Sequence, residues 1–263
     1  MKVAIVTNPN IEKSSDLSHK MSERFRHEGL EAEVLDIDNL KSGFDFVFAI
    51  GGDGTMLKTT RFYSEFDTPV MGVNLGRLGF LSLIKPSDID KLVEILKEKQ
   101  YEVQERIMLK GSGLKALNDF VIKGSTCNRT SKFSLFINGN HVYDCIADGL
   151  VVSTPTGSTA YGLSAGGPVL SPELNCMVIV PICPHTMTVR PLVIPDDETV
   201  TIKSEGMNIS ADGQQNISDL NEIVIEKTKT KAKMAFPKNE FYSILKNKLY
   251  WGVSAISEWR SGW

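Results

Sequence analysis

The chain has 263 residues, 41% of them hydrophobic and 23% charged, with a formal net charge of −3. That length holds one large domain or two modest ones, each with a buried core, and the composition is that of an ordinary soluble globular protein. The slightly acidic balance excludes the whole-protein basic field of a nucleic-acid binder and leaves room for a local basic pocket around a small anion. No stretch approaches the roughly 20 apolar residues of a membrane span. The opening MKVAIVTNPN carries an apolar run too short for a signal segment and reads as a strand. Cys127, Cys145, Cys176 and Cys183 form no CxxC pair and no metal-ligand spacing, so reduced thiols, a cytoplasmic setting and no metal held by protein ligands are expected.

Residues 2–7 (KVAIVT) are a β-branched run that ends in Asn8-Pro9-Asn10, a strand followed by a turn. Residues 14–28 place Leu17, Met21 and Phe25 four apart before Gly29, the pattern of an amphipathic helix. Val34, Leu35 and Ile37 suggest a second strand, and FVFAI over 46–50 a third, covered on both faces. A helix starts near Thr55, a short strand spans Val70–Val73, and 86–100 form a helix with Ile89, Leu92, Val93 and Leu96 on one face. Strands alternating with helices predict a Rossmann-like, doubly wound parallel sheet over residues 1–100. From 101 to 235 the pattern changes to short β runs at 120–122, 133–137, 149–153, 176–182, 200–202 and 223–225, separated by pairs such as Asn138-Gly139 and Asp212-Gly213. That predicts a β-rich, β-sandwich domain, interrupted by one helix opening near Ser158. Residues 237–250 look helical again, and the segment 236–263 is expected to pack back on the first domain.

The strongest local signal is Gly51-Gly52-Asp53-Gly54-Thr55, directly after FVFAI and directly before a helix. A strand that runs through glycines into a helix N-terminus puts backbone N–H groups at the carboxyl edge of the sheet, where anions bind. An aspartate there would repel a phosphate by itself. It makes chemical sense if it handles a proton or Mg²⁺, as carboxylates do in phosphoryl transfer to a hydroxyl. The plainer alternative is that Asp53 caps the helix and the glycines only turn the chain. The sequence is neither GxGxxG nor a Walker A loop.

A second strand runs into a glycine-punctuated loop at 72–81 (GVNLGRLGFL), which alone reads as a plain turn. Further on, DGLVVSTPTGSTAY over 148–161 and Ser164-Ala165-Gly166-Gly167-Pro168 crowd hydroxyls and glycines behind one strand, a dense donor surface. Tyr161 offers a flat face to a base. Together with Leu117-Asn118-Asp119, Pro181-Ile182-Cys183-Pro184-His185, Arg190-Pro191 and Asp212-Gly213-Gln214, these stretches resemble the NAD kinase family, in the family's order and over most of the chain.

The resemblance implies an N-terminal α/β domain, a C-terminal β-rich domain, and NAD in the cleft between them. It implies that Asp53 is the catalytic base for the ribose 2′-hydroxyl and also touches NAD. Gly51, Gly52, Gly54 and Thr55 would form the phosphate turn, Gly54 also lying near NAD. Lys58 and Arg129 are basic candidates for the donor phosphates. Asn118, Asp119, Asp148, Thr159, Ala160, Tyr161, Gly162, Leu163, Ser164 and Gln214 would contact NAD. ATP or inorganic polyphosphate would be the donor, with Mg²⁺ or another divalent cation, and a homodimer or homotetramer the assembly. The chain departs from the family where Asn118-Asp119 replaces the usual Asn-Glu, where residues 106–118 are shorter than is typical, and in the tail 257–263, which matches nothing.

Single residues weigh less. His185 has no HxxxH partner and is better read as structural. Cys183 reads as a small apolar residue, and Arg190 as structural. Lys227, Lys229, Lys231 and Lys233 alternate with period two, the solvated face of a strand. Two other functions compete: a lipid or sugar kinase sharing the GGDGT turn, and a dinucleotide-binding regulator without turnover. The long 148–168 run argues against the first, and an intact Asp53 against the second.

Overall fold

A computed structural model describes residues 1–76, 79–125, 130–237 and 241–249, apart from the Glu12 side chain. Arg129, Cys127 and the tail 257–263 therefore lie outside the described residues, as do Arg77 and Leu78 of the glycine-punctuated loop. The chain divides into two compact units. One comprises 1–59, 70–103 and the described residues after 234; the other comprises 60–69 and 104–234.

The first unit opens with β1 (Lys2–Thr7), α1 (Glu12–His27), β2 (Glu31–Asp36) and β3 (Phe46–Ile50), then α2 (Asp53–Tyr63), β4 (Val70–Val73), β5 (Ser82–Ile84), α3 (Ile89–Lys97) and β6 (Glu102–Arg106). The last four residues of α2 and the last three of β6 are grouped with the second unit. β1 pairs in parallel with β2 and β3, β3 with β4, and β4 with β5. Parallel pairing requires a crossover between strands, and α1 and α2 supply it. Every residue of β3 is buried, which is why FVFAI shows no polar alternation. Met21 and Phe25 from α1 and Leu92, Val93 and Leu96 from α3 complete the apolar cluster with Val3, Ile5, Phe46 and Phe48. Each such side chain contributes roughly 1.5–3 kcal/mol of burial.

The expected helix over 86–100 is shorter. Pro86–Asp88 form a 3-10 turn, and α3 ends at Lys97. Lys99 takes φ +52°, and the Gln100 amide donates back to the Ile95 carbonyl at 2.9 Å, which closes the helix without a glycine.

The second unit contains β7 (Leu109–Gly111), β8 (Leu114–Ala116), β9 (Asp119–Lys123), β10 (Ser131–Ile137), β11 (Asn140–Ala147), β12 (Gly149–Ser153), α4 (Tyr161–Ser164), β13 (Cys176–Ile182), β14 (Leu192–Pro195), β15 (Val200–Ala211) and β16 (Gln215–Lys227). All its described pairings are antiparallel, in the order β14-β13-β12-β9-β15-β16-β7-β8, with β10 and β11 branching from β15. One edge of β15 pairs with β16 along most of its length. The other edge pairs with β10 over Val200–Lys203 and with β9 over Asn208–Ala211. The register shift between Lys203 and Met207 lets one strand serve two layers. Phe133 and Leu135 from β10 pack with Phe120, Ile122, Leu150 and Val152 of the other layer.

β17 (Ala232–Phe236) and β6 continue the first sheet beyond β4, and α5 (Phe241–Leu249) ends the described chain in the first unit. Two expectations are corrected here. The helix near Ser158 is a 3-10 turn, Thr156–Thr159, followed by the single turn of α4. Its serines and threonines bond to nearby backbone instead of prolonging a helix. The four alternating lysines do not share one strand face either. β16 stops at Lys227, Lys229 and Lys231 lie in the turn, and Lys233 belongs to β17. The turn is fixed by the Thr228 amide, which donates to the Met108 carbonyl at 2.8 Å. Lys227, Lys231 and Lys233 pair with Asp196, Glu105 and Asp67.

Candidate active site

In the first unit the strand order β2-β1-β3-β4 reverses direction between β1 and β3. Ligands of open α/β sheets bind outside the carboxyl ends of the strands at such a switch point. Ser14 stitches these two strand ends together. Its hydroxyl bonds to Thr7 Oγ1 at 2.7 Å, donates to the Ile50 carbonyl at 3.1 Å and accepts from the Asn8 amide at 3.2 Å. Gly51 and Gly52 follow, and Asp53 opens α2.

The Asp53 carboxylate is held by the loop after β4. Oδ2 accepts from the Phe80 amide at 2.9 Å, and Oδ1 from the Leu81 amide at 3.1 Å and from Ser82 Oγ at 3.4 Å. Gly79 permits that approach, since a Cβ there would collide with Asp53 Oδ1. Asn74 shapes the base of the loop: its Oδ1 accepts from the Gly76 amide at 2.8 Å, and its amide donates to the Ile84 carbonyl at 2.7 Å. The glycine-punctuated segment is therefore more than a turn, because it fixes a carboxylate by main-chain donors. The side chain of Asp53 stays 31% exposed, and Lys248 Nζ from α5 stands 3.6 Å from Oδ2. Lys58 sits one turn further along α2 and pairs with Asp38.

The second unit assembles its own cluster around the β15–β16 turn. Asp212 has φ +53°; its side chain is fully buried and accepts from the amides of Leu117, Asn118 and Asp119 at 3.0, 2.7 and 3.2 Å. Arg61 Nη1 donates to Asp212 Oδ2 at 2.5 Å, and its Nη2 donates to Gln214 Oε1 at 2.8 Å. Arg61 itself is buried, so this is an enclosed charge pair with hydrogen bonds on both partners. Asp119, 4% exposed, starts β9 beside it. Burial first, and the nearby Asp212 charge second, push the Asp119 carboxyl up to about 7.

The segment after β12 clamps Asn118. Thr154 Oγ1 donates to the Leu117 carbonyl at 2.7 Å, and Ser153 Oγ and the Thr154 amide donate to the Asn118 carbonyl at 3.1 and 2.9 Å. Gly157 lies so close that a Cβ would strike the Asn118 backbone. With its backbone fixed in this way, Asn118 keeps a buried Oδ1 that has no hydrogen-bond partner, an acceptor ready for a ligand donor. Ser158 Oγ is used internally, donating to the Pro155 carbonyl at 2.7 Å and accepting from the Leu170 amide at 3.0 Å. Thr159 Oγ1 donates to the Thr156 carbonyl at 3.4 Å. Beyond it, Ala160 leads into α4, where Tyr161 is 38% exposed and Gly162 is buried, followed by Leu163 and the exposed Ser164. Lys123 Nζ lies 5.8 Å from the Tyr161 ring centre.

The structure thus gathers Asn118, Asp119, Gln214 and the 153–164 segment in one unit, and Asp53 with its glycines in the other. Asp148 stands apart from the former group. It precedes β12, whose far end, Ser153, pairs with Asp119. Five residues at about 3.3 Å each separate the two ends. His185 is held by its backbone, its amide donating to the Ile146 carbonyl at 2.8 Å. Among the described residues no group of three or more His, Cys, Asp and Glu is placed to hold a metal ion, and no helix is long and apolar enough to cross a membrane. Sequence reasoning missed Arg61, the donors at Phe80, Leu81 and Ser82, and Lys248. The only signal for the donors was the glycine spacing around them; Arg61 and Lys248 carried none.

The chain matches the family model for the ATP-NAD kinase N-terminal domain over residues 5–101 and that for the ATP-NAD kinase C-terminal domain over 117–237. It is 37% identical over 257 residues to the NAD kinase of Carboxydothermus hydrogenoformans, covering 91% of this chain and 92% of that relative. It is 40% identical over 225 residues to the NAD kinase of Aquifex aeolicus, covering 80% and 82%. Among solved structures, an NAD kinase from Archaeoglobus fulgidus in complex with ATP superposes with a TM-score of 0.81 at 29% identity, covering 95% of this chain and 99% of that one. Yeast NADH kinase complexed with NADH shares the fold, with a TM-score of 0.80 at 24% identity and coverage of 97% and 89%.

Proposed function

Because the chain belongs to the ATP-NAD kinase family, we propose that it transfers the terminal phosphoryl group of ATP to the 2′-hydroxyl of the adenosine ribose of NAD, giving NADP. The observation that carries this reading is the Asp53 carboxylate, fixed by the Phe80 and Leu81 amides immediately after the glycine turn yet still open to solvent. A carboxylate so placed is preorganised to accept the proton of an attacking hydroxyl. Gly51, Gly52, Gly54 and Thr55 present the strand-to-helix turn to the donor phosphates.

Asn118, through its unpartnered Oδ1, supplies an acceptor for a donor group of NAD. Asp119 and Gln214 stand beside it, with Thr159, Ala160, Tyr161, Gly162, Leu163 and Ser164 forming the adjoining surface. Tyr161 offers its exposed ring face for stacking. Asp119, its carboxyl raised to about 7, holds a proton in part of the molecules near neutrality, which lets a shortened carboxylate donate a hydrogen bond as well as accept one. Mg²⁺, or another divalent cation, would enter with the donor and neutralise part of its phosphate charge. Inorganic polyphosphate as a second donor, a cytoplasmic setting and a homodimer or homotetramer complete the proposal.

The test is NADP formation from NAD, ATP and Mg²⁺, read by an NADP-specific dehydrogenase, with polyphosphate in a parallel reaction. Product with ATP supports the assignment. NAD binding without product from either donor overturns it in favour of a non-catalytic binder.

A further inference from the structure

The mechanism above leaves an electrostatic difficulty at Asp53. A carboxylate beside the phosphate turn repels the anionic donor that the turn must hold. The only basic residue that sequence reasoning placed on α2 for this purpose, Lys58, is paired with Asp38. The first unit brings a different cation to the carboxylate, from the far end of the described chain.

α5 runs from Phe241 to Leu249 and buries Ile244 and Leu245, which anchors the helix and sets the direction of its last turn. From that turn, Lys248 places Nζ 3.6 Å from Asp53 Oδ2 and 4.5 Å from the centre of the Phe80 ring. Phe80 is the residue whose amide donates to the same carboxylate oxygen. One short segment therefore holds both the carboxylate, by its main chain, and the ammonium, by its ring face.

Three features show that this lysine is more than a partner for Asp53. The carboxylate already accepts from two amides and the Ser82 hydroxyl, so it does not depend on Lys248 for hydrogen bonding. The 3.6 Å separation is well beyond the roughly 2.7–2.9 Å of a charge-assisted hydrogen bond, so the ammonium is not committed to the carboxylate. A cation held over a ring face spends no N–H on it. With its side chain 34% exposed, an ammonium with three donors is positioned at the carboxylate and retains capacity for another anion.

We propose that Lys248 is a binding residue for the terminal phosphate of the donor, offsetting the Asp53 charge and giving its N–H groups to phosphate oxygens as the donor enters the turn. This rests on the kinase reading of the site. It adds to that reading a residue from the C-terminal helix, and a reason for that helix to lie on the first unit.

The test compares Lys248→Met and Lys248→Arg with the wild-type full chain. Lys246→Met, in the same turn, serves as a control for changes in helix charge. The expected result for Lys248→Met is a KM for ATP raised on the order of tenfold, the size of one lost charge-assisted hydrogen bond. KM for NAD should stay within about twofold, Lys248→Arg should recover most of the ATP affinity, and Lys246→Met should match wild type. An unchanged KM for ATP in Lys248→Met overturns the proposal. So does a loss shared equally between ATP and NAD that arginine does not rescue, since that marks a structural role.

A wild-type protein that makes no NADP would count against the kinase reading itself. In that case calorimetric binding of Mg-ATP separates the two claims. Weaker binding by Lys248→Met than by wild type supports the lysine assignment, and equal binding, or none by either, overturns it.

Discussion

Asp53 and Asp212 are held by the same device in different surroundings. Asp53 opens α2 and Asp212 opens the β15–β16 turn, and each has its carboxylate gripped by consecutive main-chain amides: Phe80 and Leu81 for Asp53, and Leu117, Asn118 and Asp119 for Asp212. The difference is what surrounds them. The Asp212 side chain is fully buried and closed off by the Arg61 guanidinium, whereas the Asp53 side chain is 31% exposed and has the looser Lys248 beside it. Amide donors fix a carboxylate in space in either setting. Burial beside an arginine that bonds Asp212 through one nitrogen and Gln214 through the other makes a scaffold, whereas exposure leaves the Asp53 carboxylate with lone pairs open to solvent.

Asp212→Ala should have the largest effect. It strands the buried Arg61 charge and three amides, and breaking a buried pair by removing one partner costs about 3–5 kcal/mol. Denaturant unfolding should show that loss, or the variant should fail to fold. A loss under about 1 kcal/mol, the range of an exposed pair, would mean that Asp212 is no scaffold.

The second effect concerns Asp119, the residue beside Asp212. Its carboxyl is raised to about 7 in the folded chain, by burial first and by Asp212 second, against about 3.9 when unfolded. The folded state then binds more protons than the unfolded state between those values. Its contribution favours folding below about pH 4 and is lost as pH rises through about 7. Asp119→Asn removes the titration, so the difference in unfolding free energy between variant and wild type should grow in the variant's favour across that window, on the order of a few kcal/mol. A pH-independent difference would contradict the assigned shift.

A smaller change sharpens the Asp53 side. Gly79→Ala introduces a Cβ against Asp53 Oδ1 and displaces the carboxylate without removing it. A misplacement of about 1 Å can cost roughly 10²-fold in rate. Turnover should fall by about that factor while Tm moves by only a few degrees. Retention of full turnover would show that the loop does not position Asp53.

Much of this was legible in the residues because it depends on local pattern. FVFAI is apolar without alternation because β3 is covered on both faces, and Leu17, Met21 and Phe25 face the core at helical spacing. The two glycine-punctuated segments stood out, although nothing in them showed that the second serves the first, since main-chain donors leave no side-chain signature. Arg61 and Asp212 lie 151 positions apart, and no local pattern links them. β11 was missed because most of its residues are exposed or polar. The helix expected near Ser158 is divided into short turns because Ala160, at φ −99° and ψ −128°, leaves the helical region between Thr156–Thr159 and α4.

Whether Asp53 is the base of an NAD kinase is decided by steady-state kinetics of Asp53→Asn beside wild type, with NAD and Mg-ATP as substrates. Wild type should form NADP, and the variant should show a kcat lowered by about 10²–10⁴-fold with a KM for NAD within about twofold of wild type. A variant that turns over NAD at the wild-type rate would contradict that role.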